Sequence, residues 1–314
     1  MRKIVNQSFR LCYHCVTSVD NCGIIIFRLY IQQGGATVFP LNRIFIILCF
    51  VVLFFLPGST CFASERKEKV KKVTFNYITT EIKIRYDKGH EEWADFIMAN
   101  TCAYIPAVEN YLGWTFPHEV FIINGGEKIC SPSGEWVGGY NRGEEIDIQY
   151  NLSQPGNPGL LYHEINHSWF LSWGEVGIEW FIEGICSFLP VSIGDSGFLS
   201  DKYVRRDNIF TQWGFHSDLS SVEDEPLCMD FRYEKDKFGF FYHKTFRVQY
   251  IIYKELGTEK YHDFVVDAYN TSYLKDVNTI IDILSKYKET DWKSILSGWV
   301  IPGKYTKYKL DSFD

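Results

Sequence analysis

Basic residues are in short supply in this chain. Its 314 residues hold 32 lysines and arginines against 39 aspartates and glutamates, and residues 64–314 alone hold 27 against 38, a net charge of −11. Such a surface repels a phosphate backbone, so DNA and RNA are not expected as partners. Aromatic residues reach 17% of the chain, but they are spread along it and not interleaved with Lys or Arg. That distribution suits core and cleft lining better than a base-stacking platform. There is no internal repeat and no low-complexity tract, which leaves out solenoids and compositionally disordered arrays. Nor does an uninterrupted apolar run reach the ~20 residues of a spanning helix, since Ile44–Leu56 stops at thirteen.

That short run bears on location. It follows Arg43 and leads through Pro57-Gly58-Ser59-Thr60-Cys61-Phe62-Ala63 into a charged stretch from Glu65. This is the layout of a signal-peptide core, with small residues, Cys61 and Ala63, at the positions a signal peptidase reads. The expectation is a secreted, periplasmic or cell-surface protein whose mature chain begins at Ser64. The alternative is a single-pass signal anchor through residues 44–63, because basic residues flank both sides and leave orientation open. On this reading residues 1–63 are a leader: 1–40 precede the true start and 41–63 are the signal peptide or anchor. Residues 64–72 are then a charged linker, and 73–314 form the working domain.

Of nine cysteines, five fall in the leader. Cys102, Cys130, Cys186 and Cys228 remain, an even number that allows up to two disulfides in an exported domain, with three pairings. Cys186 reads better as a small buried apolar residue.

Periodicity gives an α+β order. Val73–Tyr86 alternates like a strand or hairpin, His90–Leu112 has helical spacing, and Glu119–Ile123 is a short buried strand ending at Gly125-Gly126. Strands near Trp136 and Ile146 follow. Gly138-Gly139-Tyr140-Asn141 reads as a turn before the strand Glu145–Tyr150. From Leu160 the chain is mainly helical, with later helices over Lys244–Leu256, Lys260–Tyr269, Val277–Tyr287 and Trp292–Trp299. Residues 191–239 are the least regular stretch and are expected as a rim over a cleft.

The chemistry is concentrated in residues 163–184. A turn signal, Gln154-Pro155-Gly156-Asn157-Pro158-Gly159, precedes an apolar-rich helix, Leu160–Trp173, that carries His163-Glu164-Ile165-Asn166-His167. Histidines four apart on a helix lie on one face, where both imidazoles can reach one metal ion, and Glu164 sits one step round the same turn. A zinc with three protein ligands keeps a position open for water and lowers that water's pKa to about 7; a neighbouring carboxylate then takes the proton. Glu164 suits that base. Glu183, on a second apolar segment from Ile178 to Leu189, suits the third ligand, with Glu175 and Glu179 as competitors at helical steps before it.

The run HEINHSWF followed by EWFIEG resembles the gluzincin metallopeptidases, in particular the peptidase MA-like and aminopeptidase N-like catalytic domains, whose zinc helix is followed by a Trp-x-x-Glu-Gly helix. The resemblance implies a thermolysin-like zincin domain, with a mixed N-terminal sheet over 73–159 and a mainly helical part over 160–314. It implies one zinc per chain on His163, His167 and Glu183, with Glu164 as the catalytic base. The interval from His167 to Glu183 is a few residues shorter than usual in those families, so the loop around Gly174 must be tight. A metzincin pattern would place Gly at 170 and His at 173, where this chain has Phe170 and Trp173.

Phe241-Tyr242-His243-Lys244-Thr245 resembles the family's Tyr-x-Lys-Gly helix, whose tyrosine donates to the oxyanion of the tetrahedral intermediate. Tyr242 is the candidate, with His243 and Tyr250 as alternatives. The Gly-x-Met-Glu-Asn segment that holds a free amine in true aminopeptidases is absent, and Glu144 and Glu145 are out of register for it. An endopeptidase, or a protease of one dedicated substrate, is at least as well supported.

No carboxylate stands where a zinc-bound histidine would look for its outer partner after Glu183; Ser187 and Pro190 are there instead. The sequence therefore points to an exported or membrane-tethered zinc metallopeptidase acting on a peptide or protein substrate. Two alternatives stay open, a non-catalytic surface protein on the same fold and a zinc hydrolase of a non-peptide bond.

Overall fold

Alternation builds the first hairpin. In Thr79–Asp87 (β2) the side chains of Thr80, Ile82, Ile84 and Tyr86 are buried, while Glu81, Lys83 and Arg85 point to the other face. Its partner is Arg66–Thr74 (β1), antiparallel in the register Arg66↔Asp87 to Thr74↔Thr79. The computed structural model describes residues 65–130, 136–153, 157–170, 178–214, 227, 238–271, 274 and 276–302, all within the unit Ala63–Asp314. The leader, Ser64, Glu175 and the loop around Gly174 and Gly177, and Cys228 lie outside the described residues.

β1 corrects the expectation of a charged linker over 64–72. Its charged side chains point to both faces of the sheet and find partners on both sides. Lys67 reaches Glu91 at 2.5 Å and Lys69 meets Asp95 on the helix behind, while Glu68 takes Arg85 at 2.9 Å and Lys72 faces Glu81 across the hairpin. A lysine-rich strand is a common way to end a sheet without inviting another chain to pair.

Helix α1, Glu91–Leu112, opens with two acidic residues and ends at Gly113, whose φ of 75° gives the left-handed cap. It crosses over to Val120–Gly126 (β3), which runs parallel to β2, as a strand-helix-strand unit requires. Two short strands, Ile129–Cys130 (β4) and Trp136–Val137 (β5), form a separate pair.

Gly139–Asn141 (β6) and Glu145–Gln149 (β7) complete the main sheet, whose order is β1-β2-β3-β7-β6. Gly139–Asn141 is thus an edge strand antiparallel to β7 and not a turn, and the segment after it is interior. Arg142 N donates to Glu145 O at 2.8 Å across the tight reversal that joins them.

The helices follow. They are α2 (Gly159–Phe170), α3 (Glu179–Asp195), α4 (Arg206–Gln212), α5 (Phe238–Leu256), α6 (Thr258–Asn270), α7 (Val277–Tyr287) and α8 (Trp292–Ile295). Asp276 and Asp291 cap α7 and α8 by accepting from Thr279 N and Ser294 N, each at 3.0 Å. The stretch 191–239 is more regular than expected, for α3 runs on to Asp195 and α4 follows. Residues 215–226 and 228–237 fall outside the described residues.

One core joins the buried sheet face (Ile82, Ile84, Phe121, Ile123, Ile146, Ile148) to the helices; each such side chain contributes about 1.5–3 kcal/mol relative to exposure. The whole has a mixed sheet first, two central helices next and a helical tail last, a thermolysin-like zincin fold. No helix among the described residues is long and apolar enough to cross a membrane. Cys102, Cys130 and Cys186 carry free thiols, so the two-disulfide arrangement is not made.

Candidate metal centre

Every residue of α2 is buried, so the helix has no solvent side and its polar groups need protein partners. Asn166 finds two. Its Oδ1 accepts from Tyr104 OH of α1 at 3.0 Å, and its Nδ2 donates to the Cys186 carbonyl of α3 at 2.8 Å. Tyr162 OH donates to Asn100 Oδ1 at 2.7 Å, and its ring stacks on Tyr104 at 3.9 Å. The helix is thereby fixed between its neighbours before any metal is considered.

His163 and His167 lie on one face, as their spacing predicts, with Nε2 atoms 3.0 Å apart. Glu183, in the second turn of α3, brings Oε2 to 3.1 Å from His163 Nε2 and 3.4 Å from His167 Nε2. Glu179 is not in this group; His163, His167 and Glu183 are the described residues whose donor atoms converge. Gly184 explains how a third helix joins them. A Cβ there would stand 2.9 Å from the Thr245 carbonyl and 2.9 Å from Gln249 Cγ, so only glycine lets α5 pack directly on α3 beside Glu183.

The missing outer carboxylate is replaced by a hydroxyl. Ser187 Oγ donates to Glu183 O at 2.8 Å and stands 3.0 Å from His163 Nδ1. With its proton committed, Ser187 accepts from Nδ1–H, which leaves the lone pair of His163 on Nε2. His167 Nδ1 lies 3.5 Å from Cys186 Sγ, and burial pushes that thiol upward. A neutral sulfur there accepts weakly from Nδ1–H and leaves Nε2 of His167 as the second donor.

Burial, acting against the charged form, lowers the His163 imidazole below its ordinary range. Burial alone would raise Glu183, but the two imidazoles outweigh it and hold the carboxyl well below the usual carboxylate range.

These atoms fit a zinc ion. Glu183 Oε2 is buried and has no hydrogen-bond partner, although it faces two imidazole nitrogens. Two nitrogens and one carboxylate oxygen, all within 4.8 Å of one another, are the donor set of a catalytic zinc site with one position left open.

Glu164 is buried beside this group but does not belong to it. Burial pushes its carboxyl up to about 8. Its neighbour is the edge strand: a Cβ at Gly139 would come 2.5 Å from Glu164 Oε1, and Asn141 Nδ2 donates to Glu164 O at 2.5 Å. Glycine at 139 leaves the room that this side chain fills.

Of the three candidates on α5, Tyr242 faces the histidines, with its ring 6.0 Å from that of His163. His243 lies instead against Gly214, where a Cβ would meet its ring at 2.3 Å. Tyr250 packs two turns further on, 5.6 Å from Phe210 and 6.3 Å from Phe188. Glu145 is turned away to the open sheet face, where Asn124 Nδ2 donates to its Oε1 at 2.5 Å.

Sequence reasoning missed Trp213. Its ring lies 4.8 Å from His163 and stacks on Tyr242 at 6.1 Å, walling the site on one side. No spacing signal marks it, since 50 residues separate it from His163. The roles of Asn166 and Asn141 were also missed, although each stands inside a segment whose other residues carry a signal.

No family model and no curated protein sequence matches the chain. Solved structures do match. A two-domain M1 zinc metallopeptidase variant bound to L-arginine aligns with a TM-score of 0.54 at 12% identity, over 77% of this chain and 53% of that one. The M1 zinc metallopeptidase from Deinococcus radiodurans aligns with 0.52 at 12%, over 78% and 53%. Aminopeptidase A of Legionella pneumophila, in complex with aspartic acid, gives 0.52 at 12%, over 76% and 28%. The present chain thus has the fold of the M1 zinc metallopeptidases while spanning about half of their length or less.

Proposed function

We propose that the chain is an exported or membrane-tethered zinc metallopeptidase of gluzincin type. The observation that carries this reading is the convergence of His163 Nε2, His167 Nε2 and Glu183 Oε2 in a buried group, with the Glu164 carboxyl beside it and the edge strand β6 alongside.

His163, His167 and Glu183 would hold zinc there, which would supply a water activated by a pKa lowered to about 7. The rest is done by the chain. Ser187 holds His163 in the tautomer that offers Nε2. Glu164, set between α2 and Gly139, takes a proton at its carboxylate and returns it to the leaving amine; a cation nearby draws its carboxyl down from the value that burial imposes. Tyr242 donates its hydroxyl to the oxyanion that forms on the substrate carbonyl. Trp213 keeps water from one side of His163.

Two features bear on the substrate. β6 is the last strand of the sheet, so an extended peptide can pair along its outer side, with main-chain hydrogen bonds supplying affinity. No carboxylate lies on β6 itself, and Glu145 is held on the far face by Asn124. This favours cleavage within a chain over removal of an N-terminal residue.

Elemental analysis of the purified full chain tests the metal, with His163→Ala and Glu183→Ala alongside. Cleavage of a peptide panel tests the activity, with Glu164→Gln as the control for contaminating protease. One zinc per chain, loosened in both variants, together with cleavage lost in Glu164→Gln, is the expected result. A folded wild type that holds no zinc after supplementation would overturn the reading.

A further inference from the structure

Helix α3 contains a proline, Pro190, five residues before its end. In a regular helix the N–H of residue 190 would donate to the carbonyl of residue 186, and proline has no N–H to give. The Cys186 carbonyl is therefore released in mid-helix, at a residue that is fully buried and out of reach of water. A buried carbonyl without a donor costs ~1–3 kcal/mol. The donor it receives is Asn166 Nδ2, from the other ligand helix, at 2.8 Å.

The setting of that bond is specific. Asn166 lies between the two histidines, one residue before His167 and three after His163. Cys186 is three residues after Glu183, and its Sγ lies 3.5 Å from His167 Nδ1. The Asn166 amide cannot turn over without losing both partners, because its Oδ1 is taken by Tyr104 OH at 3.0 Å. One carbonyl freed by proline, one amide and one tyrosine thus join α1, α2 and α3 at the level of the metal ligands.

We infer that Asn166 is a positioning residue for the metal centre, and that Pro190 is what makes it necessary. The pair sets the spacing between the helix that carries His163 and His167 and the helix that carries Glu183. In a chain without Pro190 the Cys186 carbonyl would be satisfied within α3, and the bond from Asn166 would no longer be needed for it. The inference rests on the metal-centre reading for its effect on zinc. The hydrogen bond and the missing helical donor stand apart from that reading.

The test is a double-substitution cycle on the full chain with Asn166→Leu, Pro190→Ala and both together. Zinc affinity is read by competition with a chromophoric chelator, ligand geometry by the visible spectrum of the cobalt-loaded protein, and melting temperature on the metal-free protein. Asn166→Leu is expected to weaken zinc about tenfold or more, in the range seen for outer partners of metal ligands, and to change the cobalt bands. Pro190→Ala alone should stay within about threefold of wild type. In the double variant the restored N–H of residue 190 satisfies the carbonyl, so most of the affinity, the wild-type bands and part of the melting temperature should return.

Asn166→Leu with wild-type affinity and bands would overturn the positioning role. A double variant as impaired as Asn166→Leu in every readout would overturn the part assigned to Pro190. If Asn166→Leu alone does not fold, recovery of a cooperative melt in the double variant supports the link, and failure to recover sinks it. A wild type without zinc would remove the metal-centre reading; coupling between the two substitutions in the metal-free melts would still decide whether the link exists.

Discussion

Ser187 Oγ stands 3.0 Å from His163 Nδ1 while donating to the carbonyl of Glu183, so one hydroxyl connects the first imidazole to the residue that carries the carboxylate. Ser187→Ala removes the acceptor that fixes the His163 tautomer. Zinc affinity should fall about 10- to 100-fold, read by chelator competition, with little change in far-UV circular dichroism. Undiminished affinity would show that the tautomer is held by something else.

Gly184 lies in the contact between α3 and α5, and a Cβ there meets backbone as well as side chain at 2.9 Å. Gly184→Ala should destabilise the protein by about 1–3 kcal/mol, as overpacking does, and should lower turnover because Tyr242 rides on α5. Denaturant melts and peptide cleavage measure the two effects. Loss of neither would mean that the helices separate without cost.

Tyr242→Phe keeps the ring that packs against His163 and deletes the hydroxyl. Turnover should drop about 100- to 1000-fold, the range for loss of one oxyanion donor, with zinc content unchanged. Equal turnover in the variant would take Tyr242 out of the reaction.

Glu164 gives a pH signature in the metal-free protein. Its carboxyl is raised by burial to about 8, well above its unfolded value, so between the two the folded state holds a proton that the unfolded state has lost. Stability then declines as pH climbs from about 5 to 8. Glu164→Gln resembles the protonated form and lacks this slope, so its melting temperature relative to wild type should rise across that window and level off above it. Parallel profiles for the two proteins would show that Glu164 is already ionised when metal-free.

Much of this was readable in advance where one residue type repeats at one period. The four-residue step from His163 to His167, the alternation in β2 and the Glu183-Gly184 pair each have a local cause, and the structure keeps all three. The charges of β1 look like a solvated linker in sequence, because the acidic residues of α1 and β2 that lie opposite are distant along the chain. Two glycines in a row usually make a turn, and Gly138-Gly139 look like one in sequence; here Gly139 is small because Glu164 occupies the space beside it. Trp213 could not be seen at all, since its place against His163 depends on how α4 packs. The role of Ser187 was half visible, as the residue one turn after Glu183, but its chemistry follows only from the distance to Nδ1.

The hydrogen bond from Asn141 Nδ2 to Glu164 O has a consequence for any peptide laid along β6. Successive residues of an extended chain advance about 3.3 Å and face opposite ways, so a slip of one residue exchanges the carbonyl that looks toward Glu164 for one that looks away. The bond ties the strand to the helix at Glu164 and so resists sliding of one past the other. Under the proposed function the tie would work as a ruler: counting from Asn141, it would decide which bond of a bound chain comes to the point of cutting.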